Sequence, residues 1–380
     1  MAERLDVIGA GIAGLAHAWN AAKAGWKVRV FERDPIARSA SVRNFGMVWP
    51  IGQAADKRSL ALRSRELWSE IVAEAKLWHN PCGSLHAVRA QDELDVIEEF
   101  CAEQADGLEV SMLSPDECVA RGPYFRREGL LGGLFSATEM CVNPRQVISS
   151  LPSFLTERFG VEFHFAEPVL EVDTGRLQTS RGNYQNDVTV VCSGADFETL
   201  FPEVYEEAGI TRCKLQMMRA AGPASGKEIG VLMAAGLTLL HYKSFENCKT
   251  LAALRERFTA ESPHFLDWGV HVMVSQHDNA ELTIGDSHEY NRRVSPFNRT
   301  EVDQAILDYL NSFAHFPDLE IVERWNGVYP KLLDTGIFML ELEPVQGVRI
   351  FNGLGGAGMT LSFGASEDHL RRWLQTEVAA

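Results

Sequence analysis

The sequence predicts an α/β fold, α+β overall, in which a nucleotide-binding unit built from separate stretches of chain carries an inserted domain with a mixed sheet. Three observations carry this reading. A glycine-patterned strand–turn–helix–strand opens the chain at 5–34. A second glycine-rich turn, followed by an amphipathic segment, closes it at 348–374. Between them, long tracts alternate short apolar runs with polar loops, as sheets do and helical arrays do not.

The first element is an apolar strand at 5–8. It runs into Gly9, Gly11 and Gly14, spaced as G-x-G-x-x-G, and an alanine-rich helix follows over 12–23. Gly25 ends the helix, 27–31 alternates as a second strand, and Glu32 closes it. Each part has a physical job. Gly9 makes the tight turn, Gly11 lets backbone approach a pyrophosphate, and Gly14 lets helix and strand pack closely. The amides of Ile12 and Ala13 open the helix, where free N–H groups and the dipole favour phosphate. Glu32 is placed to accept hydrogen bonds from a ribose diol, which disfavours NADP. The unit is a Rossmann-like dinucleotide site.

Farther along, 58–75 reads as an amphipathic helix with Leu60, Leu62, Leu67 and Ile71 as its apolar stripe. Residues 143–160 read as another helix, capped by Asn143 with Pro144 in its first turn. Strands are expected at 213–221, 237–243, 269–276 and 281–286, and a helix at 301–316. The expected division gives 1–85, 142–210 and 335–380 to the cofactor domain, and 86–141 and 211–334 to the substrate domain.

Composition excludes whole classes. The 380 residues are 46% hydrophobic and 23% charged, ample for a large core, and carry a net charge of −16. Nucleic acid and anionic membrane need a basic face, so neither is expected as a partner. Seven cysteines without a C-x-x-C pair fit reduced thiols in a cytoplasmic protein. No apolar run approaches the ~18 residues of a membrane span, and the N-terminus does not read as a signal peptide. Eleven histidines lie without ligand spacing, so no metal is expected.

The choice of dinucleotide turns on two later segments. Residues 186–196 form an apolar strand ending at Ser193-Gly194, and 348–358 form a strand followed by Gly353, Gly355, Gly356 and Gly358. An NAD dehydrogenase keeps its nucleotide domain contiguous. Here the pieces span the chain. A late glycine-rich helix start suits a flavin, whose pyrimidine edge gains negative charge on reduction. An NAD-dependent dehydrogenase or non-catalytic nucleotide-binding module remains a rival. So does a flavin hydroxylase, suggested by Gly285-Asp286, although that pair lies well before Gly353.

GAGIAG with Glu32-Arg33, SASVRNFGMVWP (39–50) and NGLGGAGMTLSFG (352–364) resemble the D-amino acid oxidase family of FAD enzymes, which includes glycine oxidase and the sarcosine oxidases. The similarity is greatest to a bacterial subgroup associated with phosphonate breakdown. The resemblance implies FAD, with Arg33 by the adenosine and Val169 offering its backbone to adenine. It places Arg43, Asn44, Phe45 and Gly46 along the pyrophosphate and flavin ring, and Ser193 and Gly194 beside the cofactor. Gly355, Gly356, Gly358, Met359 and Thr360 would face the flavin O2 and N1 edge. Met47 and Trp49 would face the substrate.

RWNGVYPKLLDTG (324–336) would line the substrate pocket. Relatives carry Arg-Pro there, or a lysine in the late glycine loop, to grip a carboxylate. This chain has Tyr329-Pro330 and Thr360. Gly327 or Val328 replaces the cysteine that bonds flavin in sarcosine oxidase, so FAD would be non-covalent. A different acidic group is expected, a phosphonate, gripped by donors from His241, Tyr242, Lys243, Lys214, Arg219 and Lys331. Any of these cations also reads as an ordinary solvated strand-end charge. Tyr329, His241, Lys243 and Thr360 are the catalytic candidates, with Lys243 assigned to O2 activation.

The resulting expectation is an amine oxidase acting on 2-aminoethylphosphonate or an N-alkyl derivative. Its products would be an aldehyde, an amine or ammonia, and H2O2. A glycine-, sarcosine- or D-amino acid-type oxidase, and a flavin dehydrogenase with another acceptor, are the alternatives. Oligomeric state is left open.

Overall fold

The computed structural model describes residues 4–333 and 337–378. Asp334, Thr335 and Gly336, which end the pocket segment singled out above, lie outside the described residues. One six-stranded sheet runs in the order Leu340–Val345, Val348–Asn352, Val188–Val191, Arg4–Ile8, Lys27–Phe31 and Glu162–His164. All its pairings are parallel except that of Leu340–Val345 with Val348–Asn352. Leu5, Val7, Val28, Val30 and Phe31 are buried, as a parallel sheet covered on both faces requires. Within it, Asp6 and Arg29 form a buried two-pronged ion pair at 2.7 and 2.9 Å, and Asn186 adds a third bond to Asp6.

Helix Ile12–Lys23 packs on this sheet and against helix Gly358–Val378, which also meets Arg58–Glu74. The buried face of Arg58–Glu74 differs from the expected stripe. Ala61, Ser64, Leu67, Trp68, Ile71 and Val72 face inward, and Leu60 and Leu62 are only partly covered. Close helix approach is the reason. A Cβ on Gly364 would stand 2.8 Å from the Leu60 carbonyl, so small residues must line that seam. Helix Pro144–Phe159 starts under Asn143, whose Oδ1 accepts from Arg145 and Gln146 amides, and stops at left-handed Gly160.

The second sheet has nine strands. Ile210–Ala220 pairs along its length with Ile321–Leu332, and on its other edge with Leu282–Gly285 and Glu289–Asn291. The sheet continues through Met273–Gln276, Leu232–Ala235, Ser84–Val88, Gly132–Ser136 and Val110–Leu113. The expected strand at 237–243 is a helix, Gly236–His241, then a 3-10 turn, Lys243–Phe245. Leu232–Ala235 already fills the sheet position. The chain then turns at Gly236, where a Cβ would meet Glu93 Oε1 at 2.2 Å. Strand 269–276 is shorter than expected, Met273–Gln276. The helix expected at 301–316 is Thr300–Phe313. Among the described residues, no helix is long and apolar enough to cross a membrane.

Candidate active site

A cleft of about 1330 Å³, its solvent-open mouth included, runs from the first glycine turn to the final one. At its nucleotide end, Gly9 has φ +103°, and a Cβ there would strike the Cys192 carbonyl oxygen at 2.4 Å. A Cβ on Gly14 would lie 1.9 Å from the Gly9 carbonyl oxygen. Gly11, Ile12 and Ala13 line the cleft. Glu32 sits at its edge, fixed by the Ala10 and Asp34 amides, each at 3.0 Å. Arg33 pairs with Asp196 at 2.6 Å, and Val169, Ser193 and Gly194 complete this end.

The loop at 39–50 borders the cleft through Ser39, Ala40 and Ser41. Ser41, not singled out from the sequence, accepts from the Ile12 amide at 3.0 Å and so stands at the helix mouth. The contact spans 29 residues of chain, so no local signal marked that serine. Asn44 shapes the turn through Ala40, Ser41 and Gly46. Arg43 donates to the Asn326 carbonyl and borders an adjoining concavity. The Phe45 carbonyl accepts from Ser275 and His277, and a Cβ on Gly46 (φ +73°) would hit the Val142 oxygen. Met47 is buried in the short strand Met47–Val48. The Trp49 indole lies between His86 and Tyr242, and its Nε1 is buried without a partner.

The far end of the cleft belongs to Tyr329. Its hydroxyl would be 3.3 Å from a Cβ on Gly356, and the Lys331 ammonium 3.3 Å from one on Gly355. Both side chains therefore stand over the final glycine run. Behind them, three elements converge. His241 ends a helix, His271 precedes a strand, and His288 follows the turn at Asp286. Ring centroids of His241 lie 3.8 Å from His271 and 4.3 Å from His288. Asp286 Oδ1 is 3.2 Å from His271 Nε2.

Burial sets the charge of this cluster. It pushes His241 and His271 well below the ordinary imidazole range and His288 to about 4. It raises Asp286 and Tyr329 well above their usual values and Cys213, beside Tyr329, to about 12. Lys331 is lowered by burial and then by the neighbouring Lys243 charge. At neutral pH burial leaves the imidazoles as uncharged lone-pair donors.

Not every expected residue joins this group. Lys214 is one position out of phase with Cys213 and so lies on the opposite face of the sheet, its ammonium held by the Phe297 carbonyl. Arg219 is at the far end of the same strand, between Glu281 at 3.2 Å and Glu323 at 3.3 Å. Thr360 spends its hydroxyl on the Trp49 amide at 2.9 Å. Met359 gives its carbonyl to Trp68 Nε1 at 2.7 Å. Tyr242 lies against His271, its hydroxyl 3.5 Å from Met273 Sδ. The sequence showed no metal spacing, yet the fold gathers three histidines whose ligand nitrogens lie within 4.8 Å of one another.

A glycine-cradled cleft with an acid at the end of the second strand defines a dinucleotide-binding enzyme fold. The chain belongs to the FAD dependent oxidoreductase (DAO) family, whose profile matches residues 5–369. It is similar to the D-amino-acid oxidase of Streptomyces coelicolor, at 32% identity over 104 residues, 27% of this chain. That match spans about a third (32%) of the relative's length. The fold resembles glycine oxidase from Geobacillus kaustophilus, with a TM-score of 0.77, 16% identity, and 98% and 95% of the two chains covered. It also resembles iminodiacetate oxidase from Chelativorans sp. BNC1, with a TM-score of 0.69, 18% identity and coverage of 96% and 93%. The protein is thus an FAD-dependent oxidoreductase. Its residues fit that cofactor: Gly9 and Gly14 leave no room for side chains, and helix Ile12–Lys23 has no side-chain cap from Gly11.

Proposed function

We propose that the protein is an amine oxidase for a small amine bearing a phosphonate, 2-aminoethylphosphonate or an N-alkyl derivative. One observation carries the reading. Where relatives would grip a carboxylate, the cleft ends in Tyr329 with Lys331 beside it, close enough to Lys243 for its charge to be felt. Two lysines suit a head group with up to two negative charges better than a single carboxylate. Thr360, in the place of the relatives' lysine, is engaged with the Trp49 amide.

When bound, FAD supplies a two-electron acceptor that takes a hydride from the carbon bearing the amine and hands the electrons to O2. The chain's own residues do the rest. Gly9, Gly11 and the amides opening helix Ile12–Lys23 hold the pyrophosphate, and Glu32 holds the ribose. The nine-stranded sheet roofs the substrate. Lys331 and Lys243 hold the phosphonate, Tyr329 orients the substrate over the glycine run, and the buried aromatic and imidazole wall excludes bulk water. Most of the rate would come from such positioning. Water then converts the oxidised amine to phosphonoacetaldehyde and releases amine or ammonia.

The test is the visible spectrum of the purified holoenzyme before and after anaerobic addition of N-methyl-2-aminoethylphosphonate. Bleaching of the flavin band is expected, faster than with glycine, sarcosine or D-alanine. Faster bleaching by any of those three sinks the phosphonate assignment.

A further inference from the structure

We propose that His241, His271 and His288 form a binding site for a divalent ion of the zinc class, held by one imidazole nitrogen from each. The site is independent of which amine the enzyme oxidises.

The three side chains come from three parts of the fold. His241 ends helix Gly236–His241, His271 lies just before strand Met273–Gln276, and His288 follows strand Leu282–Gly285. One nitrogen from each lies within 4.8 Å of the other two. His271 and His288 are 2% and 8% exposed. Backbone fixes both. His271 N donates to the Asp286 carbonyl at 3.2 Å, Asp286 N returns a bond at 2.8 Å, and His288 N donates to the Trp268 carbonyl at 2.9 Å. A Cβ on Gly269 would stand 2.9 Å from His288 Cβ, so that loop presses directly on the histidine.

The second nitrogen of each buried ring sets which lone pair is free. His288 Nδ1 donates to the Gly269 carbonyl at 3.0 Å, which leaves its lone pair on Nε2. His271 Nε2 faces Asp286 Oδ1 at 3.2 Å, while its Nδ1 is buried without a hydrogen-bond partner. A proton on Nε2, toward the carboxyl, leaves the lone pair on Nδ1. A carbonyl or carboxyl behind a ligating imidazole is the arrangement that orients metal-bound histidines and strengthens them as donors. An unpartnered buried nitrogen beside two other imidazoles is the observation that points to a ligand rather than to a packed core.

Zinc–nitrogen bonds of about 2.0–2.1 Å set tetrahedral ligand nitrogens roughly 3.4 Å apart, so the group must tighten by up to about 1.4 Å. His241 is the ring that can move. It is only partly buried and stands on the last turn of a six-residue helix. Its ring lies stacked on His271 at 30°, and ligation swings it out of that stack.

The donors choose the ion. Neutral imidazoles suit zinc, cobalt(II) and nickel(II), whereas magnesium and calcium require oxygen ligands. Burial keeps the three rings uncharged, so no proton competes for their lone pairs. Among the described residues, no Cys, Asp or Glu joins the group, so water completes the coordination. The opposing charge is Lys331, felt at His241 and His288, which lowers the affinity for any cation. An ion here ties helix, loop and turn together behind Tyr329. It gives His241 a part other than the phosphonate donor expected from the sequence.

The test strips the FAD-loaded protein with a chelator, dialyses it against zinc, cobalt(II) or magnesium, and counts bound metal by mass spectrometry. One zinc per chain is expected, with a rise in Tm, and no magnesium. Cobalt(II) should give the visible bands of a tetrahedral site at wavelengths beyond the flavin absorption. His288→Gln should remove the ion; should that variant fail to fold, His241→Gln, at the partly exposed ligand, carries the measurement. His79→Gln alters an exposed histidine and should keep the metal. Asp286→Asn should weaken zinc about 10–100-fold, and Lys331→Met should tighten it. Absence of a stoichiometric ion from the unaltered protein, or zinc held equally by the ligand variants, overturns the proposal. Flavin bleaching by amines, read on the same samples, is a separate result: its failure in a protein that holds one zinc leaves this site standing and sinks the amine reading.

Discussion

Replacing Gly14 by alanine tests how the first glycine turn holds its cofactor. The added Cβ would stand 1.9 Å from the Gly9 carbonyl oxygen and 3.2 Å from Val7 Cγ1. A carbon–oxygen contact relaxes at about 3.3 Å, so helix Ile12–Lys23 must lift from strand Arg4–Ile8 by roughly 1.4 Å. The obstruction is backbone and cannot rotate aside. Leu15, Ala16 and Trp19 on that helix are fully buried, so the shift also loosens a packed interface. Overpacking costs about 1–3 kcal/mol, and the rigid obstacle puts this case near 3. For a chain of this size that is a fall in Tm of about 4 °C. The same displacement moves the helix amides off the pyrophosphate. The assay is thermal melting together with the flavin-to-protein absorbance ratio after purification, and most of the variant should emerge colourless. Gly182→Ala is the control, since nothing lies within 4 Å of its added Cβ; it should stay within about 0.5 kcal/mol. A Gly14→Ala protein that keeps stoichiometric FAD and melts with the control refutes the reasoning.

Two further substitutions probe buried polar partners. Arg29→Met leaves the Asp6 carboxylate, fully buried, with Asn186 as its remaining side-chain donor. It should cost about 3–5 kcal/mol in urea unfolding, and adding Asp6→Asn should recover part of that loss; equal midpoints for the single and double variants would contradict the pair's role. Thr360→Val strands the buried Trp49 amide and should cost about 1–3 kcal/mol, while Thr360→Ser should retain stability because the acceptor oxygen survives. Equal melting of the valine and serine variants would return Thr360 to the list of free pocket groups.

The nucleotide end was legible because its signals are local. Strand, turn, helix and acid follow one another within 5–34, and Gly14 answers to contacts made inside that span, Gly9 to the backbone just past the neighbouring strand. The same holds for helix Pro144–Phe159, where Asn143 and Gly160 mark both ends. The segment 237–243 failed for the opposite reason. A short apolar run serves a strand or a buried helix equally well, and the occupant of the sheet position was the preceding run, Leu232–Ala235.

The Tyr329 end of the cleft was legible only along single strands. Once Tyr329 is placed in the pocket, the two-residue period of a strand puts Lys331 on the same face without further information. Crossing to the partner strand needs the register, and nothing in the sequence prints it. The pairing of Cys213 with Tyr329 decides that Cys213 faces the site and Lys214 turns away. A slip of one residue would have reversed those two roles. The histidines are a still longer step. His241, His271 and His288 leave a helix, a loop and a turn that sheet pairing alone brings together, so no spacing rule could have found them. The same pairing places Asp286 among them with one oxygen unclaimed. That cluster is therefore a property of the tertiary fold, assembled by strand pairing and carried by no single stretch of sequence.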